Sequence, residues 1–307
     1  MKTAVIDLGT NTCNLLIAEI NASEFKIVHQ SKHLVRLGDD KIKSNEISQE
    51  ATARAANSFS LHQKTIREYG VDKVRAIATS AVRSAANQIG FLEKLAEETG
   101  WLVKVVSGEK EAELIFKGVL LAVEECREPT VILDIGGGSN ELILANGKEI
   151  LWKESRPTGM ARVIHQFKIS DPIQNNEIKT LKKYFAEEHR HAFLRCKSEP
   201  VKTLIGCSGA FDTVADIIDQ TNPGDKQRIT QEISPEDFYR VYEKLIHSTR
   251  NERINIKGMD MVRIDLIVPA VILIEQLVST VGIQKIIQTD FALREGVLYE
   301  LLYARQV

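Results

Sequence analysis

Cysteine is scarce in this chain of 307 residues: only Cys13, Cys126, Cys196 and Cys207, with no CxxC spacing among them. That pattern gives no support to a zinc ribbon or a disulfide framework, and reduced, buried thiols are expected. The seven histidines make no ligand set, and His189 and His191 fall in the charged run EEHRHAF, which reads as a solvated helix face. Charge of either sign is not in excess. Lys plus Arg is 40 against 42 Asp plus Glu, a net charge of −2, so nothing global suits a nucleic-acid coat or a membrane surface, and any basic site must be local. The longest uncharged apolar run, Leu266 to Ile274, contains Pro269 and falls far short of the roughly 20 residues a membrane span needs. Asp7 interrupts the N-terminal apolar stretch too early for a secretory signal, and low-complexity segments are lacking. The expectation is a cytoplasmic protein with no nucleic-acid or membrane partner, long enough for two domains that each bury a core.

What is present is a repeat. Thr3 to Glu19 (TAVIDLGTNTCNLLIAE) is replayed by Thr130 to Asn146 (TVILDIGGGSNELILAN), with landmarks displaced by 127 positions. Each copy opens on an apolar strand ending in Asp-x-Gly (Asp7 and Gly9, then Asp134 and Gly136), makes a tight turn and returns as a second apolar strand. The turns hold Thr10, Asn11 and Thr12 in one copy and Gly137, Gly138 and Ser139 in the other. Such residues expose backbone N–H groups and hydroxyls suited to anionic oxygens. A lone Asp-x-Gly hairpin would be read as a structural turn. Its recurrence with the Asp at the same strand end instead suggests two facing half-sites for a polyphosphate and a metal.

The rest of the first half reads as a third strand over Phe25 to Leu37, a helix over Ala51 to Tyr69 capped by Ser48, and a strand over Lys73 to Thr79. A helix over Asn87 to Glu98 stopped by Gly100, a strand over Trp101 to Val106 and a helix opened by Ser107 complete it. The second half begins with strands near Thr130 to Leu133, Glu141 to Leu144 and Glu149 to Ser155. Helices follow around Gly159 to Phe167 and Glu177 to Arg195, a strand at Lys202 to Ile205, helices from Ser234 and Val262, a strand at Lys285 to Gln288 and a helix from Leu293. The charged stretch Glu124 to Glu128 before Pro129 marks a boundary between domains at 1–124 and 125–307. Two mixed sheets covered by helices are expected.

Several segments in order resemble the exopolyphosphatase and guanosine pentaphosphate phosphohydrolase family, within the superfamily of actin-like ATPases, sugar kinases and Hsp70. They are AVIDLGTNTCNLLIAEI, HLVRLGD, AIATSAVRSAAN, VVSGEKEAELIFKGV, ILDIGGGSNELIL, IGCSGAFDTVADI and DFALREGVLYELL. The resemblance implies an α/β fold of two actin-like (ribonuclease H-like) domains with mixed sheets flanked by helices and an interdomain cleft. It further implies Mg²⁺-assisted release of a terminal phosphate, a homodimer, and a final helix (about 293–307) that returns to the first domain.

Hydrolysis of a phosphoanhydride needs a positioned water and positive charge on the transferring phosphoryl group. Glu111, one turn into the helix opened by Ser107, is the candidate for orienting water and matches the family's catalytic glutamate. Glu109 and Glu113 read as ordinary first-turn residues, and Lys110 departs from the family's SGEEEA pattern. Asp7 and Asp134 read as paired carboxylates for Mg²⁺. Glu141 is assigned to metal or water organisation, against the alternative of an exposed hairpin residue. Gly9, Thr10, Asn11, Thr12, Gly136, Gly137, Gly138 and Ser139 would contact phosphate, Ser139 as a donor and not a nucleophile because no His is paired with it by motif. Arg83 is a candidate bidentate phosphate contact, or else an ordinary solvated helix residue. By resemblance, Arg36, Ser208, Gly209 and Arg263 occupy substrate-binding positions, though MVRID departs from the more usual PERAD-like pattern, and Ser208 and Gly209 also fit a plain strand-to-helix turn.

The function expected is removal of terminal orthophosphate from inorganic polyphosphate, with short chains suggested by the lack of room for the C-terminal helical domains of longer relatives. Within the family the alternative is guanosine pentaphosphate converted to tetraphosphate. An actin-like ATPase or kinase lacks a visible sugar-site motif or substrate-binding extension here. A non-catalytic sensor would need damage at Glu111, Asp134 or the Gly136 to Gly138 turn, and none is visible.

Overall fold

The computed structural model describes residues 1–21, 24–38 and 45–303. Asp39 of the HLVRLGD segment and residues 304–307 of the expected closing helix lie outside the described residues. By packing, the chain forms one unit from Met1–Gly118 with Leu293–Val307 and a second from Val119–Ala292.

The first unit runs β1 (Lys2–Leu8), β2 (Thr12–Asn21), β3 (Glu24–Leu34), α1 (Gln49–Glu68), β4 (Lys73–Ala78), α2 (Ser80–Arg83), α3 (Gln88–Thr99), β5 (Val103–Val105) and α4 (Gly108–Val123). Its described strands order as β3-β2-β1-β4-β5, with β1 antiparallel to β2 and parallel to β4. Central β1 is apolar on both faces, Ala4, Val5 and Ile6 being fully buried, as expected for a strand covered on both sides. Edge strand β3 alternates instead. Helix α1 starts where Ser48 Oγ accepts from Ala51 N at 3.1 Å and buries Ala51, Ala55, Phe59 and Ile66 along one face. Helix α3 stops at Gly100, whose φ of 72° is left-handed.

The second unit runs β6 (Cys126–Ile135), β7 (Asn140–Gly147), β8 (Glu149–Arg156), α5 (Met160–Gln166), α6 (Asn175–Glu188), α7 (Arg190–Ser198), β9 (Thr203–Cys207), α8 (Gly209–Asp219), β10 (Gln231–Ile233), α9 (Pro235–His247), α10 (Arg250–Ile254), α11 (Ile267–Val281) and β11 (Lys285–Thr289). Its strand order is β10-β11-β9-β6-β7-β8. Read from β8, this repeats the first sheet strand for strand and adds β10 antiparallel on the edge. A large apolar cluster under this sheet includes Phe185, Phe211, Phe238 and most of α11. The closing helix α12 (Leu293–Tyr303) belongs to the first unit. Gly296 lies against the carbonyl of Leu114, where a methyl would clash with main chain. Glu300 takes Lys110 and, at 2.6 Å, Lys117, so the lysine that departs from the family pattern ties α4 to α12.

Three expectations are corrected. The helix expected over Glu177 to Arg195 is two helices broken at His189 (φ −101°, ψ 21°). His189 is not on a solvated face: it is fully buried and hydrogen-bonded at both ring nitrogens, and satisfying that buried imidazole fixes the break. The helix expected from Val262 begins at Ile267, because 261–266 fold as turns with Arg263 N bonding Asp260 O at 2.8 Å and Leu266 N bonding Arg263 O at 2.8 Å. In the stretch expected to mark the domain boundary, 126–128 form the start of β6, whose register with β7 shifts between Cys126 and Thr130. All four cysteines are buried and none is in a disulfide.

Candidate active site

The sequence repeat is a structural repeat. Asp7 pairs across the sheet with Asn14, and Asp134 with Glu141, the same register in each copy. In the first turn Gly9 N donates to Thr12 O at 2.9 Å, and in the second Gly136 N donates to Ser139 O at 3.0 Å. Those bonds close the turns and leave their tips unpaired: among the described residues, the N–H groups of Thr10, Asn11, Gly137, Gly138 and Ser139 have no protein acceptor. Successive free N–H groups in a tight turn make a concave donor set for anionic oxygen. Gly136 must lack a side chain here, since a Cβ would sit 2.6 Å from Ser139 O.

The first turn is held from behind by the segment after β3. Asn11 O accepts from Val35 N at 2.9 Å and Arg36 N at 3.1 Å, and Thr10 O accepts from Leu37 N at 2.7 Å. Arg36 has a φ of 44°, an exposed side chain, and a carbonyl that accepts from Arg54 at 2.9 Å. The second turn is held by the start of α5: Met160 N donates to Gly136 O at 3.0 Å and Ala161 N to Gly137 O at 2.9 Å, while Arg162 Nε donates to Gly138 O at 3.0 Å. Gly159 packs so closely on Gly137 and Gly138 that a Cβ would overlap their main chain.

Asp7 Oδ2 accepts from Asn14 Nδ2 at 3.1 Å, whereas Oδ1 is buried with no partner. Burial pushes its pKa up to about 6, the Asn14 hydrogen bond and the charge of Arg294 pull the other way, and the carboxylate of Glu295 adds to the rise. Arg294 and Glu295 stand at the start of α12, far away in sequence. Among the buried polar atoms without a partner are Asp7 Oδ1 and Asn11 Nδ2 at the first turn, Asn140 Oδ1 beside the second, and Arg263 Nε over Gly209. Such atoms are rare in folded proteins and mark places where a ligand completes the bonding.

Glu111 and Arg83 come together. Arg83 NH1, on α2, donates to Glu111 Oε2 at 2.7 Å and to Val106 O at 2.9 Å. Glu111 is 7% exposed, and Ser107 Oγ caps α4 by accepting from Lys110 N at 3.2 Å. Arg83 is therefore no ordinary solvated helix residue; its NH1 holds the carboxylate while Nε and NH2 have no partner among the described residues. Glu141 is 1% exposed, which removes the exposed-hairpin alternative, and its Oε1 accepts from Ser155 Oγ at 2.6 Å.

Ser208 has φ 70° and ψ 172°, a region glycine favours, costing of order 1–3 kcal/mol for other residues. Its hydroxyl is committed to Ile135, donating to O at 3.0 Å and accepting from N at 3.3 Å. Gly209 lies under the Arg263 guanidinium, where a Cβ would overlap it.

Sequence reasoning missed Asn14, Arg294 and Glu295 as the neighbours that set the state of Asp7, although DFALREG was among the quoted segments. It also missed Thr158 and His189. Asn140 Nδ2 donates to Thr158 Oγ1 at 3.0 Å and Thr158 O at 2.7 Å. Thr158 Oγ1 meets His189 Nε2 at 2.9 Å, and His189 Nδ1 meets Glu154 Oε1 at 2.8 Å. Because a carboxylate accepts, Nδ1 carries the hydrogen and Nε2 accepts from Thr158.

Among the described residues no three His, Cys, Asp or Glu side chains form a metal cage. Mg²⁺ does not require one: it keeps several waters and is held by one or two carboxylates together with substrate phosphate. The orphaned oxygen of Asp7 in the first unit suits such an ion, and in the second unit the oxygen ligands on offer are the carboxylates of Asp134 and Glu141, paired across β6 and β7. Among the described residues no helix is long and apolar enough to cross a membrane.

Two mixed sheets of one strand order, each opening on the same strand–turn–strand anion cradle, define an actin-like α/β protein of two domains. Residues 16–304 match the Ppx/GppA phosphatase family, and the chain belongs to that family of phosphoanhydride hydrolases. It is 27% identical over 314 residues to exopolyphosphatase 2 of Mycobacterium tuberculosis, covering 98% of each chain. Its fold is similar to a crystal structure of an exopolyphosphatase from Cytophaga hutchinsonii, with a TM-score of 0.94 and 36% identity over 99% of this chain and 98% of that one. The Aquifex aeolicus Ppx/GppA family member shares the fold at a TM-score of 0.84 and 22% identity, covering 100% of this chain and 99% of that one.

Proposed function

We propose that this protein is an exopolyphosphatase that releases terminal orthophosphate from inorganic polyphosphate with Mg²⁺. The observation that carries the reading is the pair of turns with identical closing bonds and free N–H tips, each beside a strand-end aspartate. The names of the Mycobacterium and Cytophaga relatives support it.

In this reading the N–H groups of Thr10, Asn11, Gly137, Gly138 and Ser139 hold phosphate oxygens, with Thr12 and Ser139 offering hydroxyls. Glu111 orients a water and takes its proton as the water oxygen bonds to the terminal phosphorus. The bridging P–O bond breaks, leaving orthophosphate and a chain shorter by one phosphate. Arg83 positions Glu111 through NH1 and turns its two remaining nitrogens to the phosphoryl oxygens, whose charge it balances as the bond breaks. Asp7, Asp134 and Glu141 are the candidate carboxylates for Mg²⁺, which would supply charge neutralisation on the phosphate oxygens. Arg36, Ser208, Gly209 and Arg263 shape the rest of the substrate path, with Arg263 Nε the donor best placed to gain a partner. A cytoplasmic homodimer is part of the same proposal and is tested by light scattering on the purified protein.

The deciding experiment is phosphate release from short polyphosphate, long polyphosphate, guanosine pentaphosphate and ATP under one set of conditions. Turnover of the polyphosphates well above the two nucleotides is expected. A preference for guanosine pentaphosphate would replace this reading by the nucleotide activity, and release from ATP alone would sink both.

A further inference from the structure

The second unit also has an opening whose lining includes no residue of the glycine turn. A cavity of about 630 Å³ lies between edge strand β8 and helix α7, lined among others by Trp152, Lys153, Glu154, Arg156, His191 and Arg195. It is built from two regular faces. Trp152, Glu154 and Arg156 alternate on one side of β8, and His191, Leu194, Arg195 and Ser198 follow helical spacing on α7. Arg156 and Arg195 stand against one carboxylate, and that carboxylate is already spent: Glu154 gives Oε1 to His189 at 2.8 Å and Oε2 to Arg156 Nε at 3.1 Å. Arg156 keeps its two terminal nitrogens, and among the described residues no carboxylate pairs with Arg195.

A concave site of this size with surplus cation, forked donors and an indole wall suits an anion of several closely spaced charges. We propose that this groove is a second anion site, binding an oligophosphate group, whether an inorganic chain or one carried by a nucleoside. It does not depend on the catalytic reading above. It is also connected: Glu154 begins the hydrogen-bond chain through His189 and Thr158 to Asn140, the residue after Ser139 of the glycine turn. Glu154 on the β8 side of the groove is therefore fixed by buried bonds, while His191, Arg195 and Ser198 on α7 are exposed and accessible.

The chain has two tryptophans, so Trp101→Phe leaves Trp152 as the only reporter. This variant is titrated with hydrolysis-resistant methylene analogues of tripolyphosphate and of guanosine triphosphate, and with a polyglutamate peptide. A saturable change in Trp152 fluorescence is expected with at least one phosphate analogue. Adding Arg195→Glu, or Arg195→Ala should the reversal unfold the protein, should weaken binding on the order of tenfold or more. Equal affinity for the two analogues identifies the inorganic chain, and tighter binding of the nucleotide identifies a nucleoside-borne group. No saturable response, unchanged affinity in both Arg195 variants, or a response to polyglutamate alone would overturn the proposal, the last in favour of an acidic peptide. Phosphate release by the same variants is read in parallel, so loss of the catalytic reading and loss of this site are separate results.

Discussion

Asp7→Asn should make the first unit more stable at neutral pH while removing what the site needs. Without a bound cation, Asp7 keeps one buried oxygen unpartnered, and burial raises its pKa from 3.8 to about 6. The native state then holds a proton that the unfolded chain has released. The contribution of this group to stability is fully present below 3.8 and is lost as pH rises through about 6. At about 1.4 kcal/mol per pH unit, that displacement is worth roughly 3 kcal/mol. An asparagine presents nearly the shape and hydrogen-bonding pattern of the protonated acid, so the variant should match the wild type near pH 4 and exceed it by up to about 3 kcal/mol near pH 8. The assay is urea unfolding at several pH values in a Trp152→Phe background, where Trp101, packed near Phe59 with ring centroids 6.4 Å apart, reports the first unit. Subtracting the variant's curve from the wild type's cancels the other titrating groups. Mg²⁺ with tripolyphosphate should restore wild-type stability at pH 8 and leave the variant unaffected. A pH-independent difference between the two proteins would refute the buried-charge argument, and equal stabilisation of both by Mg²⁺ would remove Asp7 from the metal site.

Glu111→Gln should retain the fold and lower phosphate release about 10²–10⁴-fold, the usual worth of a positioned base; near-normal turnover would take Glu111 out of the mechanism. Gly159→Ala places a methyl into the main chain of Gly137 and Gly138, so it should weaken substrate binding with far less effect on the first unit's unfolding, and unchanged KM would show that the turn tolerates displacement. Lys110→Glu sets a carboxylate beside Glu113 and Glu300 in place of the cation that pairs with both. Hydrogen exchange in α12 should accelerate at low salt and less so at high salt, and exchange independent of salt would mean the ion pairs do not hold that helix.

The sequence by itself determined the duplicated strand–turn–strand units, the two sheets, and the positions of Asp7, Asp134 and the glycine turn. Those features are local: apolar alternation, a turn that needs small residues, and caps such as Ser48 and Gly100 act within a few positions, so the chain states them directly. Tertiary structure decided which charges meet. Arg83 and Glu111 come from separate helices, and Arg294 and Glu295 reach Asp7 from the far end of the chain. His189 looks solvated because its sequence neighbours are charged, yet the fold buries it against Glu154 of β8 and Thr158. Burial and ion pairing depend on the register between distant elements, and no local pattern carries that information. A carboxylate's protonation state is therefore set by the fold, although its place at the end of a strand is set by the sequence.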